Sequence, residues 1–198
     1  MGLDLEHING QTPLDEEEKQ GLLIPTIATR EELDEFEQQN VEEAFQWIIG
    51  KSLKREKVLS EKFICDVHKQ MFNQIWKWAG TFRQTQKNIG VDYWMISQEL
   101  NMLLGDVVLW FQDKVFEPDE LAIRFKHRIV SIHCFSNGNG RHSRLMADII
   151  IEKLFDLELF SWGEGDLSNE GDTRLTYLKA LKEADNGSFD SLLKFARS

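Results

Sequence analysis

Residues 133–144 read HCFSNGNGRHSR, and the stretches on either side are both apolar enough to demand burial. DELAIRFKHRIVSI, on the N-terminal side, sets Leu121, Ile123, Phe125, Ile129 and Ile132 near helical spacing. RLMADIIIEKLF, on the other side, is apolar almost throughout. Such a chain has to bury two consecutive helices and turn its backbone sharply between them. Asn-Gly pairs also mark hairpins, but the segment after Gly140 has helix length and no alternation. A helix–loop–helix junction is the reading that fits.

The remaining sequence is also helical in pattern. TPLDEEEKQGLL reads as a short helix with Thr12 as cap, Pro13 in the first position and acids in the first turn. A long helix begins after Thr29, with Glu32 at the capping-box position, and stops at Gly50. Ser60 caps a third, EKFICDVHKQMFNQIWKW, which Gly80 is expected to end. TFRQTQKNIGVDYWMI is different: β-branched and aromatic residues surround Asn88, Gly90 and Asp92, as in a hairpin or extended flap. Helices resume near 97–114, 118–132, 140–157, 172–184 and 188–197. These signals predict an all-α bundle of about seven to nine helices with one β-hairpin flap. Residues 1–28 read as an arm with a short helix, and 29–198 as the main domain.

The 198 residues carry a net charge of −11, which argues against broad binding to nucleic acid or an anionic membrane. Only Cys65 and Cys134 occur, the start does not resemble a signal peptide, and no apolar run is long enough to span a bilayer. A reducing cytoplasm is the expected compartment. A compact basic site inside this acidic chain stays open, and residues 133–144 have its makings.

Glycines at 138 and 140 allow successive N–H groups to turn inward, and the next helix points its free N–H groups and dipole at the same place. Arg141 and Arg144, three apart, leave that helix on one side. Nest, helix start and two cations suit a polyphosphate. His133, just ahead of the cradle, is placed to take a proton from an attacking hydroxyl. Phe135 reads as an anchor for the loop, and Asn137 offers one oxygen to a phosphate-bound Mg²⁺. Singly, a His at a helix end is most often a cap, and glycine turns before helices are common. Their order within one short stretch carries the signal. His127, His133, Cys134 and His142 lack zinc-ligand spacing, and Cys134 should point away from His133, which leaves it a poor nucleophile.

HCFSNGNGRHSR resembles the Fic (Fido) motif, His-Pro-Phe-x-Asp/Glu-Gly-Asn-Gly-Arg-x-x-Arg. IWKWAGTFR at 75–83 is similar to the family's stretch ahead of its flap, and KNIGVDYWMI to the flap itself. The N-terminal residues further resemble the bacterial subgroup called mobile mystery protein B. The resemblance implies an all-α protein adenylyltransferase that moves AMP from ATP to a Ser, Thr or Tyr hydroxyl of a target protein. It implies His133 as general base, Gly138, Asn139 and Gly140 lining the phosphate nest, and Arg141 and Arg144 on the β- and γ-phosphates. It also implies a target docked on the flap formed by Lys87, Asn88, Ile89, Gly90, Val91 and Asp92.

Two positions depart from the pattern. Cys134 replaces Pro, and Asn137 replaces the usual carboxylate, which weakens the hold on Mg²⁺. The family's inhibitory Ser/Thr-x-x-x-Glu-Gly/Asn pattern is missing: Glu-Gly falls only at Glu164 and Glu170, four residues after Phe160 and Asp166. Restraint is therefore expected from a partner protein, and a toxin-like or regulatory role with it. The alternatives are a transferase using another nucleotide or phospho-donor, and a binding module without catalysis.

Overall fold

A computed structural model describes residues 14–164, 167 and 171–198. Nine α-helices are described: α1 (Glu16–Lys19), α2 (Arg30–Ile49), α3 (Arg55–Val58), α4 (Glu61–Phe72), α5 (Ile96–Asp113), α6 (Pro118–Ile132), α7 (Asn139–Phe155), α8 (Asp172–Asp185) and α9 (Asp190–Ala196). The class is all-α, as expected. No strand forms among the described residues; Leu22 and Trp76 make one isolated antiparallel bridge.

Helices α6 and α7 pack on each other at the centre. Both bury apolar residues, among them Phe125, Ile129 and Ile132 of α6 and Met146, Ala147 and Ile150 of α7. Helix α5 covers another face of α6, α4 lies against α7 and α2, and α8 pairs with α9. The junction between α6 and α7 therefore opens out of the buried centre of the bundle.

The caps read from the sequence at Thr29 and Ser60 are present: Thr29 and Glu32 form a reciprocal capping box, and the Ser60 side chain accepts from Phe63 N. Each is worth about 1 kcal/mol to its helix. Three expectations need correction. The first helix is capped by Asp15, in a box with Glu18, and begins at Glu16; Thr12 and Pro13 lie outside the described residues. Helix α4 ends at Phe72, well short of Gly80. Beyond it the Asn40 side chain accepts from Gln74 N and donates to Gln70 O, and Leu23 N and Lys77 N bond to Ile75 O and Gly21 O, so the backbone turns away.

The third correction is the flap. Residues 84–92 run as an irregular excursion with no cross-strand ladder. The side chain of Arg83 reaches the carbonyls of Thr85 and Val91, which holds the two limbs together without pairing them. The described part of the N-terminal segment packs at the base of the flap, with Leu14 and Ile27 buried and Glu18 ion-paired to Lys87.

Candidate active site

Helix α6 ends because His133 adopts a left-handed conformation (φ 59°, ψ 62°). The chain then dives inward. Cys134 and Phe135 are buried, and the Phe135 ring stacks on His68 of α4 at 3.7 Å between centroids. Burial pushes the Cys134 thiol far up, so it is inert as a nucleophile. His68 also pins the loop through polar contacts: its Nε2 is 3.0 Å from Asn137 O, and its Nδ1 accepts from Gly80 N. Since Nδ1 is the acceptor, Nε2 carries the proton and donates.

Asn139 clamps the loop from the other end. Its Oδ1 accepts from Phe135 N at 2.9 Å and its Nδ2 donates to Phe135 O at 2.7 Å. The Asn139 side chain thus builds the loop, and only its backbone is left for a ligand. Gly138 sits at φ 75°, and a Cβ there would lie 2.5 Å from the Phe72 ring. No other residue fits. Asn137 Oδ1 accepts from Gly138 N at 2.6 Å. Helix α7 then starts with the unpaired first-turn N–H groups expected of any helix.

A cavity of about 340 Å³ opens over this junction, lined by His133, Asn137, Gly138, Asn139, Gly140, Arg141 and Arg144. The structure so brings together every residue that the sequence placed in the cradle. The two arginines differ in freedom. Arg141 Nη2 is 2.5 Å from a carboxylate oxygen of Glu37, itself buried and receiving Trp76 Nε1 at 2.6 Å. Arg144 forms no direct ion pair among the described residues; it lies over the Tyr177 ring at 5.6 Å, and its charge also reaches Asp148.

His133 is 4 % exposed, and its pKa falls to about 4, through burial first and then the charges of Arg83 and Lys87. It is a neutral imidazole at physiological pH. Three consecutive carbonyls around it are tied to the flap base: Val91 N donates to Ile132 O, Arg83 Nε to His133 O at 2.7 Å, and Arg83 N to Cys134 O. Gly90 (φ 91°) touches the same place, since a Cβ on it would lie 2.5 Å from His133 Cβ. Of the flap residues, Asn88, Ile89, Gly90 and Asp92 are exposed and Val91 is half-buried. The Lys87 ammonium is turned inward onto Glu18 and Asp15.

Sequence reading missed two groups. Arg83, 1 % exposed, is the link between His133 and the flap. Helix α8 forms a cavity wall with Arg174, Tyr177, Leu178, Leu181 and Asp185, a 3–1–3–4 spacing that marks one helical face. Asp185 closes that wall by bonding His127 Nε2 at 2.8 Å. The face mixes apolar and charged types, which blurs the periodic signal in the sequence.

Residues 58–151 match the model of the Fic/DOC family. Protein adenylyltransferase Fic of Aedes aegypti is 26 % identical over 145 residues, covering 66 % of this chain and 29 % of the relative. Protein adenylyltransferase fic-1 of Caenorhabditis elegans is 35 % identical over 77 residues, or 37 % of this chain and 15 % of the relative. The chain thus spans under a third of the length of these curated relatives. Among solved structures, the N-terminal FIC domain of Bep8 from Bartonella sp. 1-1C superposes with a TM-score of 0.65 at 14 % identity, over 89 % of this chain and 94 % of that one. BepC from Bartonella tribocorum, solved with bound AMPPNP, gives 0.64 at 18 % identity, over 92 % and 97 %. Residues 58–151 are thus similar to the Fic/DOC family, and the fold is shared with solved Fic domains.

Proposed function

We propose that this protein transfers AMP from ATP to a Ser, Thr or Tyr hydroxyl of a target protein. The observation that carries the reading is a sheltered, neutral His133 at the mouth of a cavity whose floor is Gly138 to Arg141 and Arg144. The names of the curated relatives support the same chemistry. In this reading the triphosphate lies on the first turn of α7, its β- and γ-groups against Arg141 and Arg144. His133 takes the proton of the target hydroxyl as its oxygen bonds to the α-phosphorus, and the bond from that phosphorus to the bridging oxygen breaks. Pyrophosphate leaves with its charge met by the two arginines and the N–H groups of the nest. Positioned proton transfer of this kind contributes ~10²- to 10⁴-fold in rate. Burial, and after it Arg83 and Lys87, depress the imidazole pKa, and the bound phosphates, being of opposite charge to those cations, would bring it back up.

Magnesium enters this reading bound to the nucleotide. The chain offers it one neutral oxygen, Asn137 Oδ1, which the Gly138 N–H already uses. No cluster of three His, Cys, Asp or Glu stands ready for a metal among the described residues. The donor set does not fit a protein-built Mg²⁺ site, and no step is assigned to one. Restraint by a separate partner protein belongs to the same proposal, since the sequence lacks the inhibitory pattern.

The test is label transfer from α-³²P-ATP to proteins of a bacterial lysate, wild type beside His133→Ala. Label should appear with wild type and drop at least 100-fold with the variant. Equal label from both would overturn the role of His133, and ATP binding with no label at all would favour a binding module.

A further inference from the structure

The segment ahead of α2 has no part in the chemistry proposed above, yet it is built into the base of the flap. Leu23 N donates to Ile75 O and Lys77 N to Gly21 O, both at 2.8 Å, and Trp78 Nε1 donates to Glu18 O at 3.0 Å. Trp78 stacks in turn on Trp76, which is fully buried. Glu18 is thereby presented to the flap from a fixed point. Its Oε2 meets Lys87 Nζ and its Oε1 accepts from Thr85 Oγ1 at 3.4 Å, so one carboxylate grips two residues of the same flap limb. The two charged side chains are only 9 % and 6 % exposed, and Asp15 stands 3.6 Å from the same ammonium. An exposed pair of this kind would contribute little. Neither member of a buried pair, by contrast, can be left alone without a large penalty.

Arg83 holds the same limb from the other side. Its Nη1 donates to Thr85 O at 2.9 Å, its Nη2 to Val91 O and its Nε to His133 O at 2.7 Å. Thr85 is therefore fixed twice, by side chain to Glu18 and by carbonyl to Arg83. We propose that Glu18 is a positioning residue of the active site: through Lys87 and Thr85 it holds the flap limb onto Arg83, and so fixes the backbone that carries His133. The inference rests on the adenylyl-transfer reading, in which His133 must meet a hydroxyl at the α-phosphorus. The charges run the same way, since Lys87 is near enough to His133 to depress its pKa and the Glu18 charge reaches Arg83. Without the Glu18 carboxylate, the buried ammonium keeps only Asp15 among these two acids. Lys87 then turns out to water and draws residues 85–87 with it. The Arg83 and Val91 amides, bonded to Cys134 O and Ile132 O, lose their support.

Glu18→Gln is the clean variant, because Gln at this position completes a capping box as Glu does and α1 keeps its start. Amide exchange of the full chain, read residue by residue by NMR, should speed up at least tenfold at Arg83 and Val91. It should stay unchanged at Gly80, whose N–H is held by His68. Label transfer from α-³²P-ATP to lysate proteins, at saturating ATP, should slow at least tenfold, while ATP affinity by calorimetry stays within twofold. Lys87→Met should lose as much, and the double variant no more than either single, because the pair acts as one unit. Equal acceleration at all three amides, wild-type transfer by Glu18→Gln, or losses that add in the double variant would overturn the proposal. Exchange is read without ATP or target. Local loosening at Val91, in a chain whose wild type never transfers label, would therefore overturn adenylyl transfer and leave the grip of Glu18 standing.

Discussion

At position 137 one atom decides how the loop treats a cation. Asn and Asp both accept the Gly138 N–H through a side-chain oxygen, so the turn is the same for either, and only the charge differs. Asn137→Asp should therefore leave the fold intact and lower the Mg²⁺ concentration for half-maximal label transfer several-fold; an unchanged Mg²⁺ dependence would refute this account of the residue. Gly138 is constrained by shape. Its positive φ and the 2.5 Å approach to Phe72 predict that Gly138→Ala costs roughly 2–4 kcal/mol in urea unfolding and abolishes ATP binding. Both residues were legible as loop chemistry in the sequence. The role of Asn139 was only half legible, since its grip on the Phe135 backbone depends on a turn that appears only once the chain has folded.

Elements are where the sequence misled. Capping signals act within four residues, which is why Thr29 and Ser60 could be read directly. The end of α4 is set by Asn40, more than thirty residues upstream, and no local pattern carries that information. The flap has strand-like composition, yet the Arg83 side chain takes the carbonyls at Thr85 and Val91 and replaces the ladder. That makes Arg83 a positioning residue, one that acts through the His133 backbone. In Arg83→Lys one ammonium cannot serve carbonyls at 85, 91 and 133 together, since Lys lacks the planar fork. Transfer should lose tenfold or more in kcat while ATP affinity stays within about twofold, read by steady-state kinetics beside calorimetry. A matching loss of ATP affinity would place Arg83 in the phosphate site instead.

Over the whole molecule, acidity and function divide the surface. The net charge of −11 coexists with a cavity lined by Arg30, Arg141, Arg144 and Arg174, of which Arg30 pairs with Asp34 and Arg141 with Glu37 and Arg174 donates to Leu167 O. The sequence exposed the first half of this contrast and, through its twelve-residue motif, part of the second; Arg30 and Arg174 come from distant helices and could not be assigned before folding. The buried histidines set the acid limit of stability. His133 and His142 are held near pKa 4 and His68 well below its usual value, chiefly by burial. In the unfolded chain each binds a proton below about pH 6.5, so stability is full above that value and is lost as pH falls toward 4. The loss is up to ~3 kcal/mol each for His133 and His142. Asp148, raised to about 7 by burial, works the other way over the same window, but it is one group against three. The urea midpoint should be clearly lower at pH 5 than at pH 7.5, and an equal or higher midpoint at pH 5 would contradict this balance. The central claim, that the cavity directs a target hydroxyl to the α-phosphorus of ATP, is tested most directly by supplying α-labelled and γ-labelled ATP in parallel to the purified chain with lysate proteins. The account predicts label on protein from the α position, none from the γ position, and loss of the α signal in Arg144→Ala. Label from the γ position that depends on His133 would mean phosphoryl transfer, and the account would fail.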